Sequence, residues 1–187
     1  EILKKINKKT KAILVVNLFG YPFDVKKLRQ KISNKIKIIE DSACATGARI
    51  RGKFTGHFSD ASAYSFHPRK IITTGEGGMV TTNSTKLYKK MCILRNHGAT
   101  PLRENKPNLM AKFETVGYNY RMVNVLAALG VAQLEQLDAF IESKIKTALY
   151  YRKNLEGVGD IGFQSIQDGV VSNEWLFTIT TSSMKEL

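Results

Sequence analysis

Apolar residues along this chain fall into two rhythms: short continuous or alternating runs, and stripes spaced three and four residues apart. The first rhythm opens over residues 11–19, where Ala12-Ile13-Leu14-Val15-Val16 forms a continuous apolar run of the kind that fills a buried parallel strand. Gly20-Tyr21-Pro22 breaks the run. Asp24 then stands as an N-cap for a helix through Ile32, with Val25, Leu28 and Ile32 on one face. Residues 36–39 predict the next buried strand, so strand, helix and strand form a βαβ unit. Residues 48–60 turn at Gly52 and Gly56 and predict a hairpin-like excursion. Residues 61–66 alternate as a strand, which Pro68 stops because proline has no N–H for a ladder. A turn at Gly75-Glu76-Gly77-Gly78 leads into a further strand, 79–82.

The second rhythm takes over downstream. Asn83 or Ser84 caps a helix over 86–94, with Leu87, Met91 and Leu94 in one stripe and Gly98 at its C′ position. Residues 99–112 are polar, carry Pro101 and Pro107, and read as a mobile loop. From a cap at Asn124, one helix or a pair of helices runs to about Leu155. Leu126, Leu129, Gln133, Leu137, Phe140, Ile141, Lys144 and Ile145 make its mostly apolar face. The chain turns glycine-rich from Gly157, and residues 175–180 predict a strand. Glu1 to Thr10 reads as the end of a helix.

Composition narrows the class. A chain of 187 residues with 43% hydrophobic content makes one globular domain, or one and a part. Its net charge of +13 is concentrated over residues 1–37, which hold ten lysines and one arginine against Glu1 and Asp24. Those lysines alternate with apolar positions and lack interleaved aromatics for base stacking, so they read as a solvated face rather than a nucleic-acid arm. Net positive charge also draws an anionic substrate. Cys44 and Cys92 lie far apart with no metal-ligand spacing, which suits a reducing cytosol and argues against a metal site. No stretch approaches a membrane span, and no signal peptide is evident.

Two positions carry candidate chemistry on their own residue types. Lys70 lies just past a strand end, beside small hydroxyl residues and a flexible turn, where α/β sheets bind ligands. There it is either a solvated surface lysine or an amine nucleophile. Asp41 ends the strand before it, either as a cap for the next turn or as a functional carboxylate. His57 falls in the 48–60 turn as a structural residue, and His67 is given no role.

Three segments, in order, then resemble one family. SFHPRKIITTGEGGMVTTN (65–83), IIEDSACATGA (38–48) and GYNYRM (117–122) are similar to the DegT/DnrJ/EryC1/StrS family of fold-type-I, pyridoxal 5′-phosphate (PLP) aminotransferases of nucleotide-sugar biosynthesis. The resemblance runs from about Lys9 to about Val158. It implies an α/β fold: a PLP-binding large domain with a mostly parallel sheet, flanking helices and one antiparallel strand, then the start of a small α+β domain. Residues 1–122 would belong to the large domain, 123–156 to a long helical connection and 157–187 to the small domain.

The resemblance also implies roles. Lys70 would form the resting Schiff base with PLP and shuttle the proton once freed. Asp41 would pair with the pyridinium nitrogen, and a carboxylate there keeps the ring cationic. Ser65 would bind the phosphate, with a strand-end hydroxyl bonded to backbone as the alternative. Asn119 would reach the phosphate of a partner subunit in a homodimer. Arg121, otherwise a surface arginine, would lie near the sugar-nucleotide entrance. Cys44 departs from the Gln or His often found at its position near the cofactor ring, and it is otherwise a small packing residue. The implied reaction is ping-pong transfer of an amino group, from glutamate as donor, to a nucleotide-linked keto sugar in the cytoplasm. Transamination of an aminocyclitol uses the same apparatus. The family's dehydrase branch replaces the lysine with histidine, which Lys70 argues against. A non-catalytic regulatory or nucleic-acid-binding module is the rival from another class. Family members are roughly twice this long, so the chain is expected to be a fragment that holds part of the pocket and is inactive alone, with the 11–19 and 79–82 strands as open sheet edges.

Overall fold

The computed structural model describes residues 1–100 and 112–182. Its elements run in order α1 (Ile2–Lys5), β1 (Ala12–Val16), α2 (Val25–Arg29), β2 (Lys37–Asp41), β3 (Arg49–Ile50), β4 (Lys53–Phe54), β5 (Ala61–Ser65) and β6 (Gly78–Thr81). They continue as α3 (Thr85–Arg95), α4 (Asn124–Glu135), α5 (Leu137–Leu155), β7 (Gly162–Phe163), β8 (Val170–Val171) and β9 (Ile179–Thr180). The loop expected to be mobile falls, apart from its ends, outside the described residues.

The frame is a sheet of order β1-β2-β5-β6. β1, β2 and β5 are parallel, and β6 returns antiparallel beside β5. This is the mostly parallel sheet with one antiparallel strand that the resemblance implies. The reason is local: α2 carries the chain back across β1 and β2, as parallel pairing requires, whereas the helix-free 66–77 segment returns β6 directly beside β5. The register places Val16 opposite Asp41, and Asp41 opposite Ala63. The C-terminal ends of the three parallel strands therefore share one edge.

One face of this sheet is covered. Val15, Val25, Leu28 and Ile38 form its core, with Ile2, Ile13, Ile32 and Phe58 packed around them. Leu14, Val16 and Ile39 point the other way and are exposed. The continuous apolar run thus folds as a strand covered on one face only among the described residues, which corrects the expectation of a fully buried strand. The same alternation sets Ile38 and Glu40 on the covered side and Ile39 and Asp41 on the open one.

Elsewhere the helices obey their caps. The Asp24 side chain accepts from the Lys27 N–H and starts α2, which ends at Arg29 rather than Ile32. Ser84, not Asn83, caps α3 by accepting from Leu87 N–H. His97, at φ 57°, takes the left-handed position after the Asn96 cap, and Gly98 follows it instead of occupying C′. Val123 precedes α4, so Asn124 is its first residue and not its cap. The long amphipathic segment is a pair of helices that breaks at Gln136.

α5 approaches the turn after β2 at Gly47. That residue has φ +80°, and an added Cβ would sit 2.3 Å from Ile141 Cδ1. The expected hairpin forms as β3 and β4, and β8 joins it on the other edge of β3. The strand expected over 175–180 is a correction: only Ile179–Thr180 is extended, paired with β7. Among the described residues no helix is long and apolar enough to cross a membrane.

Candidate active site

The site grows from the shared C-terminal edge of β1, β2 and β5, where backbone groups run out of ladder partners and side chains take over. At the end of β1, Asn17 is 1% exposed. Its Nδ2 donates to Glu40 Oε2 and to Ser42 Oγ, each at 2.9 Å. Glu40 Oε1 accepts from Gly56 N–H at 2.9 Å, and Ser62 Oγ donates to Ser42 Oγ at 2.9 Å. A buried carboxylate held by two N–H donors gives the strand ends a fixed polar floor. Asp41 lies between Glu40 and Ser42 in sequence and faces the other way.

Asp41 is half-buried, and its Oδ1 accepts from Ala43 N–H at 3.0 Å. Its second oxygen accepts no hydrogen bond among the described residues. Ser65, at the end of β5, is half-buried too, and its Oγ accepts from His67 N–H at 3.3 Å. Beyond it the chain makes a tight turn, with Lys70 N–H donating to His67 O at 2.9 Å. The loop folds back on the strand end: Thr73 Oγ1 donates to Phe66 O at 2.9 Å, and Thr74 N–H to the same oxygen at 3.0 Å. Gln133 of α4 accepts from Thr73 N–H at 3.2 Å and fixes the loop to the helix.

This turn aims the half-buried Lys70 side chain back over the Asp41–Cys44 segment. Lys70 Nζ donates to Cys44 Sγ at 3.3 Å. It also lies 4.2 Å from the centroid of the Trp175 ring, within cation–π range. None of the ion pairs among the described residues involves Lys70.

Lys70, Cys44, Asp41 and Ser65 thus converge on the ends of β2 and β5. Asn119 and Arg121 stand apart. Asn119 bridges to Asn96 through its backbone, and Arg121 donates to Asn96 Oδ1 at 2.8 Å. Both are exposed, and no hydrogen bond joins either to the Lys70 group among the described residues. Sequence reasoning missed Trp175, Asn173 and the Gln133 link. The only available signal was that Trp175 is the single tryptophan of the chain.

The donor set can be tested against the group that the resemblance implies. PLP needs an amine, a carboxylate with a free oxygen for its ring nitrogen, and a hydroxyl or amide donor for its phosphate. Lys70 Nζ has no carboxylate partner, the second Asp41 oxygen is unclaimed among the described residues, and Ser65 supplies a hydroxyl on the adjacent strand. These residues fit it.

Comparison with known proteins agrees. The model of the DegT/DnrJ/EryC1/StrS aminotransferase family matches residues 1–186. GDP-perosamine synthase of Escherichia coli O157:H7 is 39% identical over 187 residues, covering 100% of this chain and 49% of that protein. Among solved structures, Helicobacter pylori PseC, an aminotransferase involved in pseudaminic acid biosynthesis, superposes with a TM-score of 0.86 at 31% identity, over 95% of this chain and 47% of its own. The PLP form of the putative sugar aminotransferase Spr1654 from Streptococcus pneumoniae gives 0.85 at 25% identity, over 97% and 50%. The chain spans about half the length of the curated relatives it matches.

Proposed function

The chain belongs to the DegT/DnrJ/EryC1/StrS aminotransferase family, and from that premise we propose that it carries the lysine-bearing part of a PLP-dependent aminotransferase acting on a nucleotide-linked keto sugar. The observation that carries this reading is the convergence of the Lys70 turn and the Asp41–Cys44 turn at the ends of two adjacent parallel strands, joined by the Nζ–Sγ contact of 3.3 Å. The names of its relatives, GDP-perosamine synthase and UDP-linked altrosamine transaminase, support a sugar nucleotide as substrate.

When bound, PLP supplies an electron sink for the carbanion formed as the donor's α-carbon loses its proton. The protein does the rest. Lys70 Nζ would hold the cofactor through its amine and, once free and unprotonated, would accept the donor's α-proton and later give it back. Asp41 would use its unclaimed oxygen to keep the ring nitrogen protonated. Ser65 Oγ would donate to the phosphate, and Cys44 packs beside the lysine as a weak hydrogen-bond partner. Asn119 serves the phosphate of a partner subunit in a homodimer, and Arg121 meets the sugar nucleotide. Glutamate is the amino donor, and the reaction is cytoplasmic.

The test is chemical. The full-length protein is incubated with PLP, reduced with borohydride, digested and mapped. The reduced cofactor is expected on the peptide carrying Lys70, and a label confined to any other lysine refutes the assignment.

A further inference from the structure

Residues 172–175 do something the family motifs do not describe: they tie the Cys44 turn to the Lys70 turn. Asn173 is 0% exposed. Its Nδ2 donates to Cys44 O at 3.0 Å and to Thr46 O at 2.9 Å, so it grips the turn after β2 at two carbonyls. Its backbone N–H donates to Gly20 O at 3.3 Å. Gly20, at φ +94°, leaves room for it: an added Cβ would lie 1.9 Å from Asn173 Oδ1. That oxygen accepts from Trp175 N–H at 3.0 Å. The indole then crosses to the other turn, with Trp175 Nε1 donating to Arg69 O at 2.6 Å. This bond fixes the ring beside Lys70, whose Nζ lies 4.2 Å from its centroid.

We propose that Asn173 and Trp175 form a latch whose indole face is the resting place of the free Lys70 ammonium, so that Trp175 is a positioning residue for the lysine. The proposal deepens the assignment of Lys70 as the cofactor lysine and rests on it for its purpose. A freed lysine amine becomes an ammonium once it takes the α-proton, and it then needs a place within the site to wait until that proton is returned. A flexible four-carbon stem would otherwise carry the amine into water. An aromatic face attracts an ammonium without taking its proton and without forming an ion pair that must later be broken. The Cys44 thiol on the other side is a weak acceptor and binds it no more tightly.

The experiment needs no cofactor, so its outcome is independent of the borohydride test. In the cofactor-free protein, lysines compete for a limiting amount of acetic anhydride, and the labelling of Lys70 is read by peptide mass spectrometry against exposed Lys53 and Lys89. Trp175→Leu is expected to raise relative labelling of Lys70 by roughly threefold or more, the weaker end of a cation–π contact. Trp175→Phe keeps an aromatic face but loses the Nε1 bond that fixes it, so its labelling should fall between those of the wild type and Trp175→Leu. Equal labelling in wild type and Trp175→Leu overturns the proposal, and so does a Phe variant labelled more than Leu. A second measurement covers the case in which the Leu variant does not fold. In the full-length protein the emission of Trp175 is read as the difference from the matching Trp175→Phe variant, and removing the charge from its face by Lys70→Met should change that difference. An identical difference with and without the Lys70 charge overturns the latch. If the latch holds and the borohydride label falls elsewhere, the cofactor role of Lys70 fails alone.

Discussion

At the scale of single residues, the contrast between Glu40 and Asp41 shows how adjacent carboxylates acquire different work. Glu40 is 2% exposed and gives both oxygens to N–H donors, Asn17 Nδ2 and Gly56 N. Two such bonds to a charged group make it a fixed part of the floor. Asp41 keeps one oxygen unclaimed among the described residues and faces the open side of the sheet. Asp41→Asn is therefore expected to leave the fold intact, because an amide oxygen can still accept from Ala43 N–H. It should slow the half-reaction with glutamate by about 10²-fold or more, since an amide cannot hold the proton on the ring nitrogen. Single-turnover absorbance measurements check this, and an unchanged rate refutes the role. Asp60 works at the opposite end of β5. Burial pushes its pKa up, but the Ile38 N–H, Lys37 and Arg29 outweigh burial and hold it below the usual 3.8. A lowered folded pKa means that its stabilisation is complete above the unfolded value and is lost as pH falls through the folded one. Urea midpoints of Asp60→Asn are thus expected to depend less on pH than those of the wild type below about pH 4. Parallel curves through that window contradict the ion-pair reading.

At the scale of elements, the turn between β2 and β3 is the joint on which the site depends. Asn173 holds it from one side and α5 packs on it at Gly47. Gly47→Ala and Gly52→Ala both force alanine to a positive φ, at +80° and +74°, but only the first meets a neighbour within 4 Å. Left-handed backbone costs each about 1–2 kcal/mol. Overpacking against Ile141 adds roughly another 1 kcal/mol at Gly47 alone. Equal urea stabilities for the two variants show that α5 does not press on this turn. The same joint explains what the sequence revealed and what it concealed. β2, β5 and β6 were legible because apolar runs, Pro68 and the glycine turn act on near neighbours. The meeting of the Lys70 turn with the turn after β2 was legible because the two turns follow adjacent strands, and the roles of Lys70 and Asp41 came from a resemblance. Trp175 was read as the start of a strand because its position is set by Gly20, Cys44 and Arg69, all more than a hundred residues away. No local periodicity encodes such a contact, and a lone Asn or Trp has no spacing to measure.

At the scale of the whole molecule, α4 leaves apolar side chains exposed among the described residues. Val125, Val131 and Leu134 of α4 are 79%, 59% and 56% exposed. Exposed apolar side chains of this kind suit packing against another protein surface. Asn119 lies five residues before that helix, exposed and with no hydrogen bond to the Lys70 group among the described residues, which suits a side chain that serves another subunit's site. In a two-fold dimer each subunit would complete the other's pocket. The decisive prediction uses a purified mixed dimer of the full-length protein, one subunit carrying Lys70→Ala and the other Asn119→Ala. If Asn119 acts across the interface, one site receives both defects and the other receives neither, so the mixed dimer is expected to recover about half the wild-type activity. If Asn119 acts within its own subunit, each site keeps one defect and activity stays at the level of the mutant homodimers. A hydrogen bond to a phosphate contributes about 1.5–3 kcal/mol, roughly tenfold or more in affinity, so Asn119→Ala alone should lose enough activity for the recovery to be read. Absence of recovery in a verified mixed dimer removes the cross-subunit role and leaves the chemistry of Lys70 and Asp41 untouched.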